Sequence, residues 1–357
     1  MGADYHGRSV GCPRGELCPG WDDAAPLMAG KMPEEDLAAR WRTQEGEPLA
    51  REVFRRLVAG VSLTDLGLGE HERRIDLRGI AAPAAERLDA FEKKGWVVQK
   101  LGGLLKFERT KFVNLDFSGA RLESFRFFNA TISNCRFDRA RCQDWRLWAV
   151  DVTDTSFVEA DLRKAVLGAW FEGRGDVYQR VNFSRSNLGS IVCPAATFVD
   201  CGFGDAQLSK VDFQSSSFIR CRFAGLLREV MFYDHGFRTG KPDPNPMESV
   251  DFSEAELRMV EFRNLNLDGV TFPVTSDHLI VHHYRCALER AVRELGPDTA
   301  HRGLRAILEH KLKWAGPYQK VGVFNRRDLI EMFDQEAADF AVGLLRRIET
   351  DCGEGAA

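Results

Sequence analysis

The chain has 357 residues, 44% of them hydrophobic and 29% charged, and a formal net charge of −4. That length allows a substantial core and two or three domains, while the near-neutral balance argues against direct nucleic-acid binding. There is no run of 18 apolar residues and no apolar core within Met1 to Val10, so neither a membrane span nor a signal peptide is expected, and the location expected is cytoplasmic.

Residues 1–32 are rich in Gly, Pro and Asp and are expected to form a flexible tail. Cys12 and Cys18, with His6 nearby, lack the second close pair that a tetrahedral zinc site needs. From 33 to 74 a helical N-terminal cap is expected. Pro33, Glu34 and Glu35 suit a first helical turn, Leu37 and Trp41 share a face, and a second helix from about Glu47 carries Leu49, Val53, Phe54 and Leu57 before Gly60 stops it. Arg74 to Gly79 reads as an isolated short repeat centred on Leu77, and Ala84 to Lys94 as a short inserted helix.

From Phe107 to Leu167 every fifth residue is apolar, thirteen in succession: Phe107, Phe112, Phe117, Leu122 and so on to Phe157, Leu162 and Leu167. Two positions before many of these lies a small residue, as at Thr110, Ala120, Ala130, Cys135, Ala140 and Ala160. A helix wants apolar spacings of 3 and 4, and a strand wants 2. A period of five fits a short extended piece that points two residues inward, followed by a corner, and stacking such pieces gives a coil of short strands. The pattern resumes from Phe183 to Phe223 and again from Phe252 to Phe272. Cys135, Cys201 and Cys221 take the small inward site and Cys142 and Cys193 the central one, so all five are expected as core thiols.

Ala160-Asp161-Leu162-Arg163-Lys164, Leu115-Asp116-Phe117-Ser118-Gly119 and Val211-Asp212-Phe213-Gln214-Ser215 resemble the A-(D/N)-L-x-x unit of the pentapeptide-repeat family. The resemblance implies a mainly β fold over residues 75–273, a right-handed four-sided β-helix of about seven coils. It also brings DNA gyrase into view as a partner, since quinolone-resistance members protect type II topoisomerases by mimicking duplex DNA with strongly acidic rods. Residues 105–273 here hold 22 Lys/Arg against 23 Asp/Glu, an even mixture that does not match an acidic rod.

Four sides per coil align Phe125-Arg126-Phe127-Phe128 with Trp145-Arg146-Leu147-Trp148. Arg126 is expected over Arg146 and Phe128 over Trp148, both outward, with the large Phe125 and Trp145 making that face bulge or leaning out. Two loops interrupt the ladder, at 168–180 with Trp170, Phe171 and Tyr178, and at 226–249 with Tyr233, Asp234 and His235. Phe232 and Phe252, twenty residues apart, are expected to keep register. Loops on a rigid solenoid are common carriers of function. The contact surface expected for a protein partner therefore comprises Arg126, Phe128, Arg146, Trp148, Trp170, Phe171, Tyr178, Tyr233 and His235.

Residues 274–357 change period and are expected to form a C-terminal helical domain, packed on the last coil or serving a homodimer. Helices are expected over Asp277 to Leu295, around Leu304 to Leu312, and from about Arg327 through Ile348. His278 and His282 would share a helix face, but without a neighbouring catalytic glutamate. No phosphate-cradling glycine loop or nucleophile elbow is present, so no enzyme, cofactor or metal is expected. A non-enzymatic protein-binding scaffold is the leading reading, and a topoisomerase modulator the alternative.

Overall fold

In a computed structural model of the chain, residues 34–82, 105–234, 246–297, 301–317 and 319–354 are described. The segment 1–32 with its two cysteines, the helix expected over 84–94 and His235 lie outside them. The period of five becomes a parallel ladder. Lys106–Glu108 pairs with Arg126–Phe128, which pairs with Arg146–Trp148, which pairs with Val166–Leu167, and equivalent residues lie twenty apart. A second column runs Lys111–Val113, Thr131–Ser133, Asp151–Thr153, Val177–Gln179, Thr197–Val199, Ser217–Ile219 and Met247–Glu248. Single bridges extend two further columns, through Asp116, Arg136, Ser156, Asn182 and Gly202, and through Arg121, Arg141, Asp161, Asn187 and Gln207.

Each residue type in the repeat has a mechanical role. The central and small positions point inward and are buried, as at Phe112, Leu115, Phe117 and Ala120. The Asp or Asn before the central residue accepts the N–H two residues on: Asp116 from Ser118 at 2.9 Å, Asn182 from Ser184 at 2.9 Å and Asp251 from Ser253 at 2.8 Å. This local bond closes the corner. Two residues after the central one the backbone turns left-handed, with φ of 55° at Asn114, 49° at Asn129 and at Asn134, and 59° at Asp144. Asn and Asp tolerate that region better than other side chains.

The core is a set of ring columns. Phe117, Phe137, Phe157, Phe183, Phe203, Phe223, Phe252 and Phe272 form one unbroken stack, with centroids 4.5 to 6.2 Å apart and planes within 16°. It passes through both interruptions, which are shorter than the sequence suggests. Val177–Gln179 is a ladder strand paired with Asp151–Thr153, so the first interruption adds only six residues, all of them before Asp176. Arg222–Tyr233 is one long strand, so residues 226–233 belong to the ladder and not to a loop. Phe232 stacks on Phe213 at 5.2 Å and on Phe262 at 5.1 Å, whereas Phe252 stacks on Phe223. The expected twenty-residue register between Phe232 and Phe252 is therefore wrong. The two rings lie on different columns and meet edge to face at 5.8 Å.

At the N-terminal end, α1 (Glu34–Ala39) and α2 (Gly46–Ala59) precede the first paired residues. Gly60, at φ 66°, ends α2. Leu77 is fully buried, and Ile75 pairs with Leu115, so Arg74–Asp76 is part of the ladder. Beyond Phe272 the chain is not simply helical. His278–Val281 pairs antiparallel with Gly322–Asn325, among α3 (Tyr284–Leu295), α4 (Arg302–Trp314), α5 (Arg326–Met332) and α6 (Gln335–Glu354). The expected helix from Asp277 thus begins at Tyr284, because a short apolar run such as Leu279-Ile280-Val281 has no period that separates strand from helix. The helix expected from Arg327 to Ile348 is broken at Phe333. Asp334 accepts the N–H of Ala337 at 2.8 Å and starts α6 anew. A Cys286–Cys352 disulfide, not anticipated from the sequence, joins α3 to α6, while Cys135, Cys142, Cys193, Cys201 and Cys221 are buried free thiols.

Candidate functional site

Consecutive coils place Arg126 beside Arg146 and Phe128 beside Trp148. The Phe128 and Trp148 rings stack at 4.4 Å with planes 3° apart. Both are half-buried, as are Trp170 and Phe171. The six residues inserted before Val177 fold back on this pair. Phe171 and Arg174 exchange backbone hydrogen bonds of 2.8 and 3.1 Å, and that tight turn sets the Phe171 ring edge-to-face with Phe128, centroids 5.8 Å apart and planes at 66°. Asn129 Nδ2 donates to Glu172 Oε2 at 2.9 Å, and Arg174 donates to Asp151 Oδ1 at 2.7 Å, pinning the insertion to the coil beneath. Lys106 Nζ lies 4.8 Å from the Phe128 centroid. Each aromatic contact of this kind is worth about 0.5–1.5 kcal/mol beyond burial.

The arginines are not free cations. Asp144 accepts from Arg126 at 2.8 Å and from Arg146 at 2.6 Å. Burial pushes the Asp144 carboxyl up, but the hydrogen bond from Arg126 and the charges of both guanidiniums outweigh it and hold the pKa below the usual range. The surface is thus an aromatic ridge of Phe128, Trp148 and Phe171 bordered by a paired Arg–Asp–Arg cluster. Sequence reasoning finds the rings and the arginines but misses Asp144, Lys106 and Glu172. Asp144 and Glu172 lie at left-handed corners, where no periodicity marks them, whereas Lys106 holds the register position of Arg126 and Arg146 one coil earlier and is legible from the same twenty-residue alignment.

Other expected contacts lie elsewhere. Tyr178 is 1% exposed, stacked on Phe198 at 4.7 Å, because it occupies the central position of its repeat. Phe125 and Trp145 do not lean out. Both are buried, Phe125 meets Phe54 of α2 at 6.0 Å, and the Trp145 indole donates to the Leu122 carbonyl at 2.5 Å. Tyr233 lies under the Arg263 guanidinium, 4.9 Å from its centroid, and the same guanidinium lies 4.6 Å from Trp314. His278 opens the strand His278–Val281 and His282 follows its last residue. They do not share a helix face. His278 instead accepts the Leu257 N–H at 3.1 Å, and its second ring nitrogen meets the Thr275 hydroxyl at 2.7 Å. Burial lowers its pKa. Among the described residues no cluster of three metal-ligating side chains occurs.

No protein-family model and no curated protein matches the sequence. Solved structures do. A trypsin-treated form of QnrB1, a plasmid-mediated fluoroquinolone resistance protein, aligns over 54% of this chain and 91% of its own, at 17% identity and a TM-score of 0.26. HetL, a pentapeptide-repeat protein involved in heterocyst differentiation regulation from the cyanobacterium Nostoc sp., covers 48% of this chain and 91% of its own at 17% identity and a TM-score of 0.19. Rfr23, a pentapeptide-repeat protein from the cyanobacterium Cyanothece, covers 56% and 92% at 12% identity and a TM-score of 0.15. At these identities and scores the likenesses say nothing of partners or activity. In its repeat, and in the parallel ladder that the repeat builds, the chain resembles the pentapeptide-repeat proteins.

Proposed function

We propose that the chain is a non-enzymatic scaffold: a right-handed four-sided coil over residues 75–273 that presents the ridge of Arg126, Phe128, Arg146, Trp148, Trp170 and Phe171 to a protein partner. The observation that carries this reading is the seating of Phe171 on the Phe128–Trp148 stack, half-exposed and held by the Asn129–Glu172 and Arg174–Asp151 bonds. A rigid aromatic cluster edged with arginine is the composition of binding hot spots, and its pre-organisation lowers the ordering cost of association. Affinity purification from the native host, comparing the wild type with an Arg126→Ala/Trp148→Ala double variant of unchanged circular dichroism, tests it. The double variant is expected to lose at least one specific partner. Retention of every wild-type partner refutes the ridge.

Modulation of a type II topoisomerase by duplex mimicry has less support. Along one corner Asp154, Arg180, Asp200 and Arg220 alternate in sign, with ion pairs of 2.6 Å from Arg180 to Asp154 and from Arg220 to Asp200. A duplex mimic needs unpaired carboxylates at phosphate spacing. Supercoiling by purified DNA gyrase is accordingly expected to proceed unchanged at micromolar protein, with or without a quinolone, and inhibition or protection would favour mimicry.

A further inference from the structure

Where the last coils meet the C-terminal elements there is a cavity of about 390 Å³, bounded by ladder residues 257–261, α4, the strand Gly322–Asn325 and α5. Its volume lies in the range of small-molecule sites, about 300–1,000 Å³. Leu257, Val260, Ile307, Phe324, Leu329 and Met332 supply apolar wall, and Met332 is 44% exposed. Four ionisable side chains also face it, and two of them are already neutralised. Asp328 accepts from Arg258 Nε and from the Met259 N–H, both at 2.6 Å, and Glu261 accepts from Arg263 at 2.6 Å. His310 is half-exposed, 3.7 Å from Glu261.

Lys311 remains. Its ammonium lies 5.0 Å from the Phe324 ring centroid, and the two carboxylates lining the same cavity pair with arginines instead. An ammonium beside apolar wall and already-paired carboxylates calls for one negative charge. We propose that this cavity binds a small monoanionic amphiphile, a carboxylate on an apolar body of medium-chain fatty-acid size, with the carboxylate on Lys311 Nζ and the chain along Leu257, Ile307 and Leu329. Burial lowers the pKa of Lys311, and a carboxylate seated on it would raise that pKa again.

Isothermal titration of the full chain with decanoate below its micelle concentration tests the assignment, alongside 1-decanol as the uncharged probe. Saturable decanoate binding is expected, weakened roughly ten- to hundredfold in Lys311→Met, which keeps the stem and removes the charge, and largely kept in Lys311→Arg. Ile307→Trp, which fills the cavity, is expected to abolish it. Thermal midpoints verify that each variant folds. The proposal is overturned if wild-type protein takes up no decanoate, if Lys311→Met binds it as tightly as wild type, or if decanol competes equally well.

Discussion

At the residue scale, the informative positions are those where the repeat's own rule is broken. Asp176 occupies the small inward site just after the first insertion and is fully buried. One of its oxygens accepts the Val150 N–H at 2.8 Å, and the other has no partner in the structure. Burial is the dominant influence and pushes its pKa up to about 8, against the opposing hydrogen bond from Val150 and the charge of Arg174. A carboxyl whose folded pKa is raised contributes stability that is fully present below the unfolded value near 3.8 and is lost as pH rises through about 8. Between pH 5 and 8 the urea midpoint of the wild type is therefore expected to fall. Asp176→Asn keeps the acceptor for Val150 and cannot ionise, so its profile should be the flatter of the two. Parallel profiles would show that Asp176 is ionised in the folded chain. Neither its inward place nor the six extra residues that isolate it are legible, because nothing in the local sequence says whether Gly168 to Asp176 leaves the ladder or remains in it; only the pairing of Val177–Gln179 with Asp151–Thr153 shows it.

At the element scale, the C-terminal segment closes the ladder with side chains. The last coils would leave backbone donors and acceptors open, as any sheet edge does. Instead His278 accepts the Leu257 N–H, Asn325 donates to the Leu257 carbonyl at 2.8 Å, Gln319 donates to the Phe262 carbonyl at 3.0 Å and Asp328 accepts the Met259 N–H. Asp328 also pairs with Arg258, which reaches on to Glu331 at 2.7 Å. Asp328→Ala strips one partner from a half-buried guanidinium and one from a backbone amide, and a loss of about 2–3 kcal/mol is expected in chemical denaturation. A loss below about 0.5 kcal/mol would mean that the ladder's end is closed by apolar packing alone. The helices here are legible from their apolar spacing at Leu288, Ala291 and Leu295 or Leu304 and Leu308. The capping roles of His278, Gln319 and Asp328 are not, since a single polar residue in a short extended segment carries no periodic signature. The disulfide is illegible for another reason: Cys286 and Cys352 are 66 residues apart and lie on helices whose approach only the tertiary fold determines.

At the scale of the whole molecule, one stack of eight phenylalanines carries the ladder through both interruptions without a break. The sequence reveals that column because an inward residue every fifth position satisfies no other regular backbone, and it misplaces Phe232 because only pairing across coils shows how many residues an insertion adds. Continuity matters for function, because the two coils before the insertion carry Phe128 and Trp148 while the strand after it, Val177–Gln179, anchors the turn that bears Phe171. Amide hydrogen exchange followed by mass spectrometry tests this continuity most directly. Peptides spanning 151–153, 177–179 and 197–199 are expected to exchange together and only at the slow rate of cooperative opening, with residues 170–174 protected above an unstructured loop. Fast, independent exchange on the two sides of Gly168 would contradict it: the ladder would then be two separate pieces, and no fixed aromatic ridge would join them.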